Sequence, residues 1–269
     1  MPSANSIGMF DSGVGGLSVL REVAALLPCE PVRYVADAAR CPYGPRPASE
    51  VLKLSLDIVK FLLEKKCKLI VVACNTATAA AIDTLRKLFP HVPFVGMEPA
   101  VKPAAEQSKT RSVGILATSG TLQGRLFNHT KERYAANVEL HVAAGNGLVE
   151  LVEQGREDSP EALALLRTYL QPMLDSRVDE LVLGCTHYPF LKNSIDKVAQ
   201  GRMVIVNPAP AVAVQVKRLL AQRNLLADHA AAHPAYEFFS TGDVNILEQM
   251  QKKHLPQLSE RCSFQALSL

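Results

Sequence analysis

Short runs of apolar residues alternate with longer amphipathic segments along the whole chain. Several runs are uninterrupted, such as Leu69-Ile70-Val71-Val72-Ala73. A continuous apolar run of this length is typical of a strand that is buried on both faces of a parallel sheet. The pattern predicts strands over residues 7–11, 32–37, 69–73, 94–96, 113–117, 138–142, 180–184, 204–206 and 237–240.

The segments between these strands show the apolar spacing of helices. The clearest cover residues 17–27, 49–65, 77–88, 160–174 and 210–222. Regular alternation of strand and helix predicts an α/β fold with mainly parallel sheets flanked by helices. Ligands of such sheets bind beyond the carboxyl ends of the strands, so the residues that follow each strand are the candidates for a functional site.

A weak internal repeat divides the chain into two similar halves. Residues 7–12 resemble 113–118, and residues 69–76 resemble 180–187. The segments 97–100 and 206–209 also resemble each other, which marks them as points where the chain passes between two lobes. We therefore expect a lobe A of residues 1–98 and 208–269, a lobe B of residues 99–207, and an active site in the cleft between them.

Composition and charge exclude several classes of protein. Hydrophobic residues make up 48% of the 269 residues and the net charge is only +3, without a run of five like charges, so neither nucleic acid nor a membrane surface is a predicted partner. No apolar run reaches the ~18 residues of a membrane span. No basic segment precedes the first strand, which favours a cytoplasmic protein. The six cysteines form no C-x-x-C pair and are expected to be free thiols.

Two cysteines stand at matching points of the two half-repeats. Cys74 ends one predicted strand and Cys185 ends its counterpart. The start of a helix lowers the pKa of a thiol, so this placement predicts reactive thiolates. The ordinary alternative is a buried cysteine that only packs in the core. The occurrence of a cysteine at both matching positions favours a catalytic role instead. His187 follows as a proton carrier, a hydrogen-bond partner or only a helix cap.

A glycine-rich loop follows the first strand and begins at Asp11. Its glycines Gly13, Gly15 and Gly16 allow backbone N–H groups to approach an anion, or simply form a tight turn. A dinucleotide-binding loop requires a third glycine where Ser18 stands, which counts against a nucleotide. Asp11 is suited to hold a substrate ammonium group or to steer protons on a thiol.

Other polar residues also follow strands. Tyr43 and Gly44, and the segment 118–121, offer hydrogen bonds to a carboxylate, although a packed turn and a helix cap explain them as well. His229 and His233 have the i,i+4 spacing of a metal pair. No third ligand is evident, so we interpret them as a solvated helix end and predict no metal.

Five motifs, in order and over nearly the whole chain, resemble those of glutamate racemases: residues 10–16, 42–44, 73–76, 117–121 and 184–189. The resemblance implies two α/β lobes with the active site between them. It implies interconversion of L- and D-glutamate without pyridoxal phosphate, metal or another cofactor, which supplies D-glutamate for bacterial peptidoglycan. A homodimer is compatible with this picture.

The resemblance also implies roles for individual residues. Cys74 and Cys185 would be the two bases, with Asp11 and His187 as auxiliary acid/base partners. One departure is Gly145-Asn146-Gly147, where many members carry a Cys-Pro pair, and Glu153 downstream is a secondary candidate. The implied substrate contacts are Asp11, Ser12, Tyr43, Gly44, Asn75, Thr76, Thr118, Thr121, Thr186 and His187.

Three other functions remain open from the residues alone. They are an aspartate or hydantoin racemase, a non-catalytic two-lobed binding protein, and a nucleotide-dependent enzyme that uses the glycine loop. Residues 184–189 favour glutamate, and a substrate panel decides between the racemases. Exchange of the Cα proton with solvent separates a racemase from a binder.

Overall fold

The structure is a computed structural model that describes residues 5–135, 137–227 and 234–269. His229 and His233, the pair with metal-like spacing, lie outside these residues. Within them, strands β1 to β10 span Ile7–Asp11, Val32–Ala36, Leu69–Val72, Phe94–Val95, Ser112–Ala117, Glu139–Ala144, Glu180–Gly184, Val204–Val206, Tyr236–Ser240 and Cys262–Ala266.

Helices connect these strands and cover both sheets. In chain order, α1 to α11 span Leu17–Leu26, Ala48–Glu64, Asn75–Leu88, Val101–Gln107, Ser119–Gln123, Arg125–Tyr134, Leu148–Glu153, Pro160–Asp175, Lys192–Ala199, Ala209–Gln222 and Val244–His254. None of the described helices is both long and apolar enough to cross a membrane.

The strands form two parallel sheets. The first has the order β10-β9-β2-β1-β3-β4 and the second has the order β6-β5-β7-β8. Every pair of neighbours runs parallel. The predicted fold class, mainly parallel sheets flanked by helices, is confirmed.

The chain returns to the first sheet after it has completed the second. Strands β9 and β10 extend the first sheet beyond β2, and α10 packs against α1. The edge strand β10 is the one strand of the described chain that the apolar pattern does not predict. The lobe boundaries at residues 98/99 and 207/208 stay a prediction.

A continuous apolar core holds the two sheets in one arrangement. Met9 of β1 and Leu183 of β7 belong to the same buried cluster, together with Leu148 and Val149 of α7. All four residues of β3 and all five of β7 are buried, as expected for central parallel strands. The carboxyl ends of these strands are thereby fixed around one cleft.

Candidate active site

A small cavity lies where the carboxyl ends of the central strands of the two sheets meet. Most of the residues singled out from the sequence line it, while Asp11, Thr121 and Glu153 lie outside its lining. The lining residues are Ser12, Pro42, Tyr43, Gly44, Cys74, Asn75, Thr76, Thr118, Val149, Cys185, Thr186 and His187.

The Cys74 thiol sits at the start of α3. The Ala77 N–H donates to Cys74 Sγ at 3.4 Å, and Ser12 Oγ lies 3.8 Å away. Burial, with the charge of Asp11, nevertheless raises the pKa of Cys74 to about 12. The expectation of a lowered pKa is therefore wrong for this thiol, because loss of solvent around the sulfur outweighs the hydrogen bond from the helix start. Cys74 is a neutral thiol at pH 7.

The second thiol, Cys185, has a histidine beside it. Cys185 Sγ lies 3.7 Å from His187 Nδ1, and His187 Nε2 lies 2.6 Å from Glu153 Oε1. Burial alone would lower the pKa of His187, but hydrogen bonds to Cys185, Cys41 and Glu153 outweigh it and hold that pKa well above its usual value. The resulting imidazolium stabilises negative charge on a neighbouring sulfur.

Glu153 is the last residue of α7, and its carboxylate is fixed by two contacts. Besides His187, its Oε1 accepts the Val14 N–H at 2.8 Å. The unusual residues before α7 fit this placement, since Gly147 precedes the helix with a φ of +85° that glycine adopts freely. The secondary candidate therefore lies behind the histidine and does not line the cavity.

Asp11 is fully buried behind the glycine loop. Its Oδ1 accepts the Gly13 N–H at 2.9 Å and the Ser12 hydroxyl at 3.2 Å, and its Oδ2 accepts the Thr186 hydroxyl at 2.8 Å. Burial raises the pKa of Asp11, and the charge of His187 partly offsets that rise. Asp11 thus links the turn after β1 to the turn after β7.

The glycines of the loop make room for side chains from the other half of the molecule. A Cβ on Gly13 would lie 1.9 Å from Glu153 Oε1, and a Cβ on Gly15 would lie 2.4 Å from His187 Nδ1. Both distances are far below van der Waals contact. The loop therefore receives the acid/base residues of the second half, which explains its glycines without a phosphate ligand.

A cluster of threonine hydroxyls lies at another part of the cavity. Thr118 Oγ1 is 2.8 Å from Thr76 Oγ1 and 2.9 Å from Thr121 Oγ1. Thr118 also caps α5 by accepting the Thr121 N–H at 3.3 Å. Because hydroxyls both donate and accept, this cluster is able to turn its donors toward a carboxylate.

Two further side chains of the lining differ in what they offer a ligand. The Tyr43 hydroxyl donates to Asp37, so Tyr43 contributes its ring and backbone to the cavity wall. Asn75, which is 2% exposed, has no hydrogen-bond partner on Nδ2 or Oδ1 among the described residues. A buried amide without a partner is costly, and a polar ligand in the cavity would satisfy it.

One residue near the site was not singled out from the sequence. The Cys41 thiol lies together with the Glu153 carboxylate and a ring nitrogen of His187, all within 4.8 Å of one another. The three residues come from distant segments, so no spacing along the chain indicates the cluster.

The arrangement is suited to proton transfer at carbon. A neutral thiol and a thiol beside an imidazolium line one small cavity. The chain offers hydroxyl and amide groups around the same space for a polar substrate.

Comparison with known proteins agrees with this chemistry. The sequence model of the Asp/Glu/Hydantoin racemase family matches residues 10–216. A glutamate racemase of a Roseiflexus species is 47% identical over 90% of this chain and 89% of its own length.

Solved structures give the same result for the fold. A glutamate racemase of Bacillus anthracis superposes with a TM-score of 0.87 at 32% identity, over 99% of this chain and 98% of that one. A glutamate racemase of Francisella tularensis in complex with D-glutamate superposes with a TM-score of 0.82 at 26% identity, over 98% and 97% of the two chains.

Proposed function

The chain belongs to the Asp/Glu/hydantoin racemase family, and we propose that it interconverts L- and D-glutamate by a two-base mechanism with Cys74 and Cys185 as the bases. It is an amino-acid racemase, an isomerase. The observation that carries the two-base assignment is that these two thiols, which follow β3 and β7 of different sheets, line one cavity.

Racemisation requires removal of the weakly acidic Cα proton and its return on the opposite face. A thiolate on one side takes the proton and becomes a thiol, and the electron pair passes into the carbanion and its carboxylate. The thiol on the other side then gives its proton to Cα and becomes a thiolate. Two fixed groups achieve inversion without moving around the substrate, and each turnover exchanges their protonation states.

The electrostatics of the empty site support a defined starting state. Because its pKa is raised, the Cys74 thiol keeps its proton, and the positive charge of the His187 imidazolium lies next to Cys185 Sγ. One enantiomer presents its Cα–H to the sulfur of Cys185, beside this positive charge. The other enantiomer requires the reverse arrangement, in which Asp11 takes part as the acidic neighbour of Cys74.

Binding groups for the substrate carboxylates surround the cavity. Asn75, the first residue of α3, has a free amide, and Thr76 and Thr118 present hydroxyls. Charge that develops on the carboxylate during proton removal is stabilised by such fixed donors. An outer cleft shares Pro42 and Gly44 with the cavity and forms the approach for substrate.

Substitution of each base tests the mechanism. Cys74→Ala and Cys185→Ala should each lower racemisation by about 10³-fold or more, while the purified variants still bind glutamate. Cys29→Ala, which removes a partly exposed thiol that does not line the cavity, is the matched control and should keep full activity. Near-normal turnover in either base variant would disprove the two-base assignment.

Solvent isotope incorporation tests the reaction itself. In D₂O, L-glutamate should become D-glutamate that carries deuterium at Cα, as measured by NMR and chiral chromatography. No added cofactor, nucleotide or metal should be required. A binding protein would give no exchange, and faster turnover of aspartate than of glutamate in a substrate panel would contradict the proposed specificity.

The remaining expectations concern the cellular setting. The D-glutamate formed is proposed to supply peptidoglycan biosynthesis in the cytoplasm, without nucleic acid as a partner. A homodimer remains a prediction, which light scattering of the purified protein tests.

A further inference from the structure

The cluster of Cys41, Glu153 and His187 has the donor set of a transition-metal site. A thiol, a carboxylate and an imidazole each offer one ligand atom, and these atoms lie within 4.8 Å of one another. This combination of sulfur, oxygen and nitrogen is one that Zn²⁺ accepts at distances of about 2.0–2.3 Å. His187 is buried, while Cys41 and Glu153 are half-buried, so the cluster lies below the surface and within reach of solvent.

The pair of His187 and Glu153 requires only a small adjustment to hold an ion. His187 Nε2 and Glu153 Oε1 are 2.6 Å apart because they share a hydrogen bond. In a tetrahedral zinc site the same two atoms would stand about 3.3 Å apart. Replacement of the bridging proton by the ion therefore moves the carboxylate by less than ~1 Å, within the reach of side-chain rotation.

The surroundings supply the two further features of a metal site. The Val14 N–H donates to the Glu153 carboxylate, and Cys185 Sγ faces the other ring nitrogen of His187, so both ligands have partners that orient them. A second cavity is lined by Cys41 and Glu153, shares Pro42 and Val149 with that of the two bases, and opens beside the cluster. Through it an ion could enter and keep a water as its fourth ligand.

We propose that Cys41, Glu153 and His187 form an inhibitory site for Zn²⁺ beside the active site. The ion takes the place of the proton between His187 and Glu153 and of the Cys41 thiol proton, and the protons pass to solvent. The bound ion withdraws His187 from proton transfer with Cys185. It also ties together the loop after β2, the end of α7 and the turn after β7. The inhibitory effect rests on the proposed racemase function, whereas the site itself does not.

Direct binding tests the site independently of activity. Titration of the purified, metal-free protein with zinc alone should show one ion bound per chain by calorimetry. Cys41→Ser, which keeps the size of the side chain and removes the soft ligand, should weaken binding at least tenfold. Cys29→Ser, at another partly exposed thiol, should leave the affinity unchanged. Equal affinity in the Cys41 variant and the wild type would overturn the proposal.

Zinc could instead bind the thiols of the two bases, and a second variant separates these sites. The double variant Cys74→Ala/Cys185→Ala should still bind one zinc ion per chain, and loss of binding there overturns the proposal. This result does not depend on whether the protein racemises glutamate. In the active protein, zinc should lower the turnover number even at saturating glutamate. Purely competitive inhibition would place the ion at the bases and contradict the assignment.

Discussion

At the scale of single residues, His187 is the most constrained group of the site. It is buried and lies between a sulfur on Nδ1 and a carboxylate on Nε2. Its contacts raise its pKa, although burial acts in the opposite direction. Protonation of His187 is thus coupled to folding as well as to catalysis.

This coupling predicts a pH-dependent contribution to stability. The pKa of His187 in the folded protein is above the value of about 6.5 in an unfolded chain. Its stabilising effect is therefore complete below about pH 6.5 and is lost as the pH rises through the folded-state pKa. In urea titrations over this range, the stability gap between wild type and His187→Asn should shrink as the pH rises. His91→Asn, at an exposed histidine, should show no such trend. A constant gap for His187 would contradict the prediction.

Gly15 offers a second residue-scale prediction. An alanine Cβ would lie 2.4 Å from His187 Nδ1 and 2.6 Å from Thr186 Oγ1, so Gly15→Ala displaces both side chains. We expect kcat to fall about 100-fold, the effect of moving a catalytic group by ~1 Å. Gly8→Ala serves as the control, because its Cβ would press on Ile70 and Cys67 in the core. Urea unfolding should show a lower free energy of unfolding for the Gly8 variant. Steady-state kinetics of the folded Gly8 variant should show a normal kcat.

At the scale of elements, helix starts both shape and supply the site. The side chains of Cys74, Thr118 and Ser159 cap α3, α5 and α8 respectively. Two of these caps line the cavity, and the third lies away from it. The same local structure therefore serves stability in one place and substrate binding in another.

Substitution of two caps separates these roles. Thr118→Val removes a hydroxyl from the carboxylate cluster and should raise KM about tenfold or more, as expected for loss of a hydrogen bond to a charged group of about 1.5–3 kcal/mol. Ser159→Ala should lower the free energy of unfolding by about 1 kcal/mol without a change in KM. Glutamate kinetics and urea unfolding of both variants provide the measurement. An unchanged KM for the Thr118 variant would contradict its placement.

The strands that the sequence predicted have a clear apolar run, whether they are buried throughout, as β7 is, or partly exposed, as β8 is. The strands at 7–11, 180–184 and 204–206 agree with the structure residue for residue, and the others agree within a few residues. Strand β10, Cys-Ser-Phe-Gln-Ala, was missed because it lies at the sheet edge, where partly exposed and exposed residues alternate and leave little apolar signal. Its pairing with β9 is decided by tertiary structure.

At the scale of the whole molecule, the two sheets are joined by polar contacts as well as by the core. Glu157 follows α7 of the second half, and its carboxylate is 1% exposed. It pairs with Lys253 of α11, which packs on the first sheet. This ion pair therefore joins the two halves of the molecule.

Neighbouring lysines allow a matched test of that contact. Lys253→Ala leaves the buried Glu157 carboxylate with only the His254 ring, 3.4 Å away, beside it and should lower the free energy of unfolding by about 1–3 kcal/mol. Lys252 pairs with the more exposed Glu248 on the same helix, so Lys252→Ala should cost less than about 1 kcal/mol. Thermal or urea unfolding of the two variants measures the difference. Equal effects would mean that the contact contributes nothing beyond a surface pair.

The site shows how much of the arrangement of its residues could be predicted from the sequence. From their positions at strand ends and in the repeat, Cys74 and Cys185 were predicted to lie at one site, since parallel strands end at a common edge. Both line one cavity. The raised pKa of Cys74 was not predicted, because burial depends on what packs from the other half. The sequence did not predict the Cys41 cluster for the same reason, since its three segments meet only in the folded protein.

The fit of Glu153 against Gly13 and of His187 against Gly15 has a consequence for inheritance. A bulkier residue at either glycine displaces the side chain of the other half that packs against it. A hybrid gene that joins the first half of this protein to the second half of a relative should yield a working enzyme only when both glycines meet their usual counterparts. The two halves of this protein therefore form a matched pair, although their strands and turns resemble each other.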